Sequence, residues 1–160
     1  MRIGINALPL SRVPAGAARV IWHLIEELRN IDSDNSYYLY SDRDFELPCE
    51  GERWRKRIWS PLPLLPGTLW LQTVGRRMII HDRLDLFWGA NNLLPLGLPS
   101  ELAKVVSIHD LILPLYSKCA DPLSRSMYWL FAERSTRQAD KIIAGCQPDP
   151  DLKPVASLSR

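Results

Sequence analysis

The sequence is poor in the residues that would make it a disulfide or zinc protein. Its three cysteines, Cys49, Cys119 and Cys146, are odd in number, far apart and without a Cys-x-x-Cys pair. That spacing fits reduced thiols of a cytoplasmic protein better than a disulfide frame or a zinc site. Excess charge of one sign is also lacking. The net charge is +2, which gives no argument for nucleic acid or a strongly acidic partner. No window approaches the roughly 18 uninterrupted apolar residues of a membrane span. The opening run Met1-Arg2-Ile3-Gly4-Ile5-Asn6 soon meets Pro9 and Arg12, too short for a signal peptide. Internal repeats are absent.

What is there is an ordinary globular composition. Apolar residues make up 46% and charged residues 24% of 160, which excludes disorder, collagen and coiled coil as overall descriptions. The length suits one domain able to bury a core without metals or disulfides.

Two periods alternate along the chain. Residues 2–7 form a buried strand, and 8–15, with Pro9 and Pro14, a loop. From Gly16, Ala17, Val20, Ile21, Leu24, Ile25, Leu28 and Ile31 recur at helical steps. Asp32-Ser33-Asp34-Asn35 ends that helix, and Tyr37-Tyr38-Leu39-Tyr40 is a second strand. Trp54 to Trp59 is a third. Thr68 is placed to cap a helix running to about His81. Leu84 to Trp88 is a short strand, Asn91 to Pro99 a loop, and Lys104 to Ile108 a buried strand. Asp121-Pro122 starts a helix to about Ala139, and Lys141 to Ala144 is the last strand. This order argues an α/β fold with a mainly parallel sheet. Residues 1–144 form the domain. Residues 145–160, with Pro148, Pro150 and Pro154, read as a Pro-rich, disordered or extended tail.

Ligands of such sheets sit outside the carboxyl ends of the strands. Two segments meet that rule. Pro14-Ala15-Gly16-Ala17-Ala18-Arg19 opens the first helix. Small residues there admit a phosphate to free backbone N–H groups, or simply pack tightly. With one glycine and no lysine it is neither Gly-x-Gly-x-x-Gly nor a P-loop. Ser107-Ile108-His109-Asp110 ends a hydrophobic strand. Its histidine can bind a hydroxyl or move a proton, with the aspartate fixing its tautomer. The bland alternative is a packed His and a capping Asp. Asp42-Arg43-Asp44 could hold a divalent metal, but a solvated loop is the plainer reading. His23 and His81 read as solvated. The run from Ile58 to Trp70 is a lipid- or partner-binding patch if exposed, and a cover over the sheet if buried.

Taken together, these segments resemble the N-terminal half of the retaining, GT-B-fold glycosyltransferases of family four, which includes many bacterial polysaccharide mannosyl- and glucosyltransferases. The matching pieces are Met1 to Asn6, Gly16-Ala17-Ala18-Arg19, Asp34-Asn35-Ser36-Tyr37-Tyr38-Leu39-Tyr40, Pro66-Gly67-Thr68-Leu69-Trp70, Asp85-Leu86-Phe87-Trp88-Gly89, Val105 to Leu111 and Arg137 to Ala144, in family order across residues 1–144.

The resemblance implies a Rossmann-like, acceptor-side domain of a two-domain enzyme for polysaccharide or lipid-linked glycan synthesis. The donor is a nucleotide-diphosphate sugar, with no cofactor and no metal. Retention follows from same-face attack assisted by the leaving phosphate. His109 would hydrogen-bond the donor sugar or stabilise developing charge, and Asp110 would orient it. Gly16 would face the diphosphate, and Ala15, Gly16, Arg19 and Asn91 form the substrate-binding set.

The chain departs from the family in two places. Ala15 stands where a second glycine is usual, and after Ala144 the sequence turns to Gly145-Cys146-Gln147-Pro148 instead of a helix and a donor-binding domain. The expectation is a chain truncated before that domain and inactive alone. The alternative is a non-catalytic Rossmann-like subunit that pairs with a separate donor-domain chain. Self-association of the uncovered half is expected. So is a cytoplasmic location, with peripheral contact at the inner face of the membrane through Trp59, Leu62, Leu64, Leu65 and Trp70.

Overall fold

A computed structural model describes residues 1–12, 16–47, 51–59, 65–109 and 122–144, with the helix through 122–129 described as backbone only. Strand β1 (Arg2–Asn6) passes from exposed to fully buried along its length. It pairs in parallel with β2 (Ser36–Ser41) on one side and with β4 (Leu86–Gly89) on the other. Strand β3 (Trp54–Ile58) extends the sheet beyond β2. Strands β5 (Ala103–Ile108) and β6 (Lys141–Ala144) extend it beyond β4. The six strands are all parallel, in the order β3-β2-β1-β4-β5-β6. This is the doubly wound, Rossmann-like α/β arrangement, whose strand order reverses between β1 and β4.

Alternation along the strands divides the core into two layers. Tyr37 and Leu39 of β2 face α1 (Gly16–Ile31), together with Ile5 and Trp88. Tyr38 and Tyr40 face the opposite side, together with Phe87 and Val106. On that side lies a continuous helical run of α2 (Gly67–Trp70), a π turn (Leu71–Gly75) and α3 (Arg76–His81). Helix α4 (Pro122–Gln138) joins this layer through Phe131 and Ala132. Gly4 leaves the room this layer needs, because a Cβ there would stand 2.4 Å from Leu84 Cδ1 and 2.8 Å from Phe87 Cδ2.

Helix α1 buries Ala18, Ile21 and Ile25, with Leu28 packed alongside. Each fully buried isoleucine contributes roughly 1.5–3 kcal/mol relative to exposure. The expected apolar stripe is thus wider than the buried one. Val20, Leu24 and Ile31 remain exposed. The helix ends where the Asp32 carboxylate accepts the backbone N–H groups of Asp34 and Asn35 and the Tyr37 hydroxyl. The Tyr37 bond, more than any other, holds that carboxyl far below the ordinary range.

Two expectations for the helical run are corrected. Thr68 is not its cap, because the run begins at Gly67 after Pro66 with no side-chain cap. Trp70 offers nothing to a lipid surface. It is wholly buried, and its indole Nε1 donates to the Trp59 carbonyl at 2.7 Å. Leu65 is half-buried against the same core. Trp59 is 54% exposed, and Leu62 and Leu64 lie outside the described residues, as does the 145–160 tail.

Candidate functional site at the carboxyl edge of the sheet

The chain must turn sharply as it leaves β4. A Cβ on Gly89 would stand 2.4 Å from the Leu93 carbonyl oxygen, so only glycine lets the loop fold back this closely. Asn92 completes the turn in the left-handed region, at φ 59°, which asparagine tolerates better than most residues. Its N–H donates to Ser107 O at 2.9 Å, and its Oδ1 accepts the His109 N–H at 3.0 Å. Below them the Trp88 indole donates to Ser107 Oγ at 2.8 Å. The ends of β4 and β5 are therefore stitched together through side chains as well as backbone.

The rest of this loop is pinned from two helices. Gln72 grips it at both ends of its amide, donating to Leu94 O at 3.0 Å and accepting Leu96 N–H at 2.8 Å. Ser135 Oγ accepts Leu94 N–H at 2.8 Å. Arg76 donates to Gly97 O at 2.8 Å, and Gln138 to Pro95 O at 2.8 Å. A loop with its backbone groups committed in this way can position a ligand without first being ordered.

His109 stands one residue past β5, at the carboxyl edge as expected, and is half-buried. Its Nε2 lies 2.6 Å from Ala90 O. A carbonyl only accepts, so Nε2 carries the proton of this bond. Its neighbour Asp110 lies outside the described residues.

On the other side of the switch point, β1 ends at Asn6. Its side chain is almost wholly buried, and its Oδ1 accepts Leu8 N–H at 3.3 Å. The chain continues into a 3-10 turn (Leu8–Ser11). Arg12 follows, and its Nη2 donates to Asp42 Oδ2 at 2.7 Å. A cavity of about 210 Å³ opens between this turn, the first turn of α2 and the β4–β5 loop. Asn6, Arg12, Thr68 and Asn91 supply its polar wall. A second cavity, of about 270 Å³, lies against α1 and is lined by Arg12, Arg19, Trp22 and His23 among others.

The expected site residues therefore fall in three places along one edge. Asn91 lines the switch-point cavity, Arg19 the cavity on α1, and His109 the end of β5. Gly16 is exposed at the start of α1, where an added Cβ would meet nothing within 4 Å, and Ala15 lies outside the described residues. Asn6, Arg12, Thr68 and Asn92 were not anticipated. The signal available for Asn6 was a polar residue closing an otherwise apolar strand; for Asn92 it was an Asn pair right after one.

Asp42 and Asp44 do not converge. Asp42 is 5% exposed and turned to Arg12, whereas Asp44 is exposed and pairs with Lys56 at 2.7 Å, which lowers its carboxyl pKa. Among the described residues no group of three His, Cys, Asp or Glu side chains could hold a metal ion. No described helix is long and apolar enough to cross a membrane. No protein-family model and no curated protein matches the chain.

Proposed function

We propose that the chain is the acceptor-side half of a retaining, sugar-nucleotide-dependent glycosyltransferase of family four. One observation carries this reading. His109 stands one residue past β5, at the carboxyl edge of an all-parallel sheet whose strand-order reversal, between β1 and β4, opens a cavity with Asn6, Arg12, Thr68 and Asn91 in its wall. Open α/β sheets bind ligands at that reversal, and amides and hydroxyls are the groups that read sugar hydroxyls.

In the transfer step the acceptor oxygen bonds to the anomeric carbon of the donor sugar. The bond from that carbon to the nucleotide's terminal phosphate oxygen breaks on the same face. The acceptor proton passes to the departing phosphate oxygen. His109 contributes by exchanging the Ala90 carbonyl for a hydroxyl of the donor sugar, with the Asn92 bond to its backbone N–H keeping the residue in place. Arg19, exposed on the first turns of α1, faces the diphosphate. Trp59, more than half exposed, is the contact for a membrane bearing a lipid-linked acceptor.

The test is a chimera of this chain with the donor-binding half of a family-four transferase, assayed with radiolabelled nucleotide sugars and saccharide acceptors. Transfer is expected, and His109→Ala should lower turnover roughly 10²–10³-fold, the loss typical of one placed hydrogen-bond donor, at unchanged melting temperature. A chimera that binds nucleotide sugar yet transfers to no acceptor overturns the reading.

A further inference from the structure

We infer that Arg2 and Arg55, gathered around the Tyr38 ring toward the amino end of the sheet, form a binding site for the terminal phosphate of a soluble phosphate monoester. The site lies away from the carboxyl edge and is independent of the transferase reading.

Strand register builds the cluster. Gly4 of β1 pairs with Tyr38 of β2, and Tyr38 pairs with Arg55 of β3. Residues paired side by side share a face of the sheet, as do residues two apart along one strand. Gly4, Tyr38 and Arg55 therefore form one row on the face that packs against α3, and Arg2 stands on that face two residues before Gly4. The Arg2 Cζ lies 5.2 Å from the Tyr38 ring centroid, and the Arg55 Cζ lies 5.8 Å from it. All three side chains spring from paired strands, so their backbone positions are set before any ligand arrives.

The donors of this cluster are largely uncommitted. Tyr38 is 7% exposed, yet its hydroxyl makes no hydrogen bond among the described residues. A polar side chain buried this far ordinarily has a partner within the protein. No described polar side-chain atom is both sealed from solvent and unpaired, so the hydroxyl reaches the surface between the two arginines. Arg55 commits only its Nε, to the Glu52 carbonyl at 3.2 Å. The Arg2 guanidinium has no hydrogen bond or ion pair among the described residues. Cation–π attraction accounts for where the guanidiniums rest. It leaves the hydroxyl without an acceptor and brings two like charges to one ring.

The neighbouring acids do not cancel that charge. Asp82 is already held by Arg57 and the Tyr40 hydroxyl. Asp85 meets Arg2 through the backbone N–H, at 2.6 Å, and Glu52 meets Arg55 through its carbonyl. The cluster thus presents two guanidinium forks and a phenol, all of them donors. A sugar hydroxyl would bring a proton that finds no acceptor among them. A carboxylate has two oxygens and is satisfied by a single fork. A phosphate monoester carries close to two charges and three terminal oxygens, enough to engage both forks and the phenol together. The bridging phosphates of a nucleotide-diphosphate sugar have no such three-oxygen end.

The experiment titrates the full ¹⁵N-labelled chain, at fixed ionic strength, with inorganic phosphate and glycerol 3-phosphate, and with acetate as the carboxylate control. Phosphatidic acid in phosphatidylcholine vesicles is tested in parallel by sedimentation. Both soluble phosphates are expected to shift the Nε–H signals of Arg2 and Arg55 and to bind at least tenfold more tightly than acetate. Tyr38→Phe, which removes only the hydroxyl, should weaken phosphate binding about tenfold, the worth of one hydrogen bond to a charged group. Arg2→Gln and Arg55→Gln should each weaken it tenfold or more. Arg2→Lys should restore less than half of the lost affinity, because an ammonium keeps the charge without the fork. Arg77→Gln, at an exposed arginine of α3, should leave binding unchanged. Melting temperatures close to the parent's establish that the variants are folded. No saturable binding tighter than about 10 mM overturns the inference. So does binding that acetate matches, or that ignores Tyr38→Phe and both glutamine variants. Sedimentation with phosphatidic acid vesicles without binding of either soluble phosphate also overturns it, because the ligand would then be a membrane surface.

Discussion

Asn92 and His109 hold one another across the ends of adjacent strands: the asparagine side chain accepts the His109 backbone N–H at 3.0 Å, while its own N–H donates to Ser107 O at 2.9 Å. The arrangement needs both a side-chain acceptor and a positive φ at one position. Asn92→Ala removes the first and strains the second. Asn92→Gly keeps the backbone conformation and removes the side chain, the acceptor included. The Gly variant should lose about 1–3 kcal/mol, the cost of leaving a half-buried N–H without a partner, and the Ala variant more. Urea midpoints of the two proteins check the order. Equal stability of Asn92→Gly and the parent would show that the clamp contributes nothing.

Gly89 ends β4 and Gly16 opens α1, both at the carboxyl edge of the sheet, yet the structure separates them. A methyl group at Gly89 would meet a backbone carbonyl at 2.4 Å, which cannot move aside as a side-chain tip can. Overpacking of this kind costs typically 1–3 kcal/mol or more. At Gly16 the same methyl group meets nothing. Gly89→Ala should lower the melting temperature by several degrees or abolish folding, whereas Gly16→Ala should melt at or above the parent value. A Gly16→Ala protein that melts normally but, in the chimera, binds nucleotide sugar more weakly would support the phosphate-facing role. Unchanged nucleotide affinity would count against it.

The type and order of the elements were legible because short apolar or aromatic runs such as Tyr37–Tyr40 alternate with longer stretches at helical steps, as from Gly16 onward. The position of His109 followed from the same pattern, since a buried run through Val105, Val106 and Ile108 must end near it. What its ring touches was not legible. The contact with Ala90 O depends on the close turn at Gly89 and the left-handed Asn92, neither of which has a periodic signature. The switch-point cavity was hidden for a related reason. Residues 6, 12, 68 and 91 come from four separate segments, and only the strand order brings them to one edge. Thr68 shows how a local rule can mislead: a hydroxyl near a helix start reads as a cap, yet here it lies inside the first turn and lines the cavity. The buried face of α1 was shifted because Val20 and Leu24 satisfy a helical period without meeting the sheet.

A buried charge cluster ties the far strands to the end of α3. Arg57 donates two bonds of 2.7 Å to the Asp82 carboxylate, and the Tyr40 hydroxyl donates a third at 2.7 Å. Burial alone would raise the Asp82 carboxyl, but the Arg57 guanidinium and Tyr40 hydroxyl outweigh it and hold the group below its ordinary value. A depressed folded-state pKa contributes stability above the unfolded value, near 3.9 for aspartate, and that contribution is lost as pH falls through the folded value. Asp82→Asn should therefore be less stable at pH 7 by roughly 1–2 kcal/mol, below the cost of breaking a fully buried pair, because the Arg57 side chain left behind keeps 37% exposure and is screened by solvent. The gap between variant and parent should narrow as the pH is taken below about 4. Urea midpoints measured from neutral to acidic pH give the comparison, and a gap that stays constant over that range would remove Asp82 from the acid response.

The two edges of the sheet are guarded unequally. On β3, Arg55 and Lys56 are exposed and Arg57 is partly so, and such cations discourage strand addition by another chain. On β6, Lys141 is followed by Ile142 and Ile143, which are 54% and 50% exposed. Consecutive strand residues point to opposite faces, so this edge presents apolar surface on both sides of the sheet. Among the described residues no strand pairs beyond it. An edge of this composition is a template for association. The chain should therefore self-associate as its concentration rises from micromolar to millimolar, seen as a growing sedimentation coefficient. Ile142→Lys should suppress the growth while leaving the melting temperature nearly unchanged, because a substitution at an exposed site usually shifts stability by no more than about 0.5 kcal/mol. Arg55→Ile on β3 is the reciprocal change, and it should promote association by removing a guard from the other edge. A parent chain that remains monomeric throughout the range, or an Ile142→Lys protein that associates as strongly as the parent, would show that β6 is covered in the native molecule.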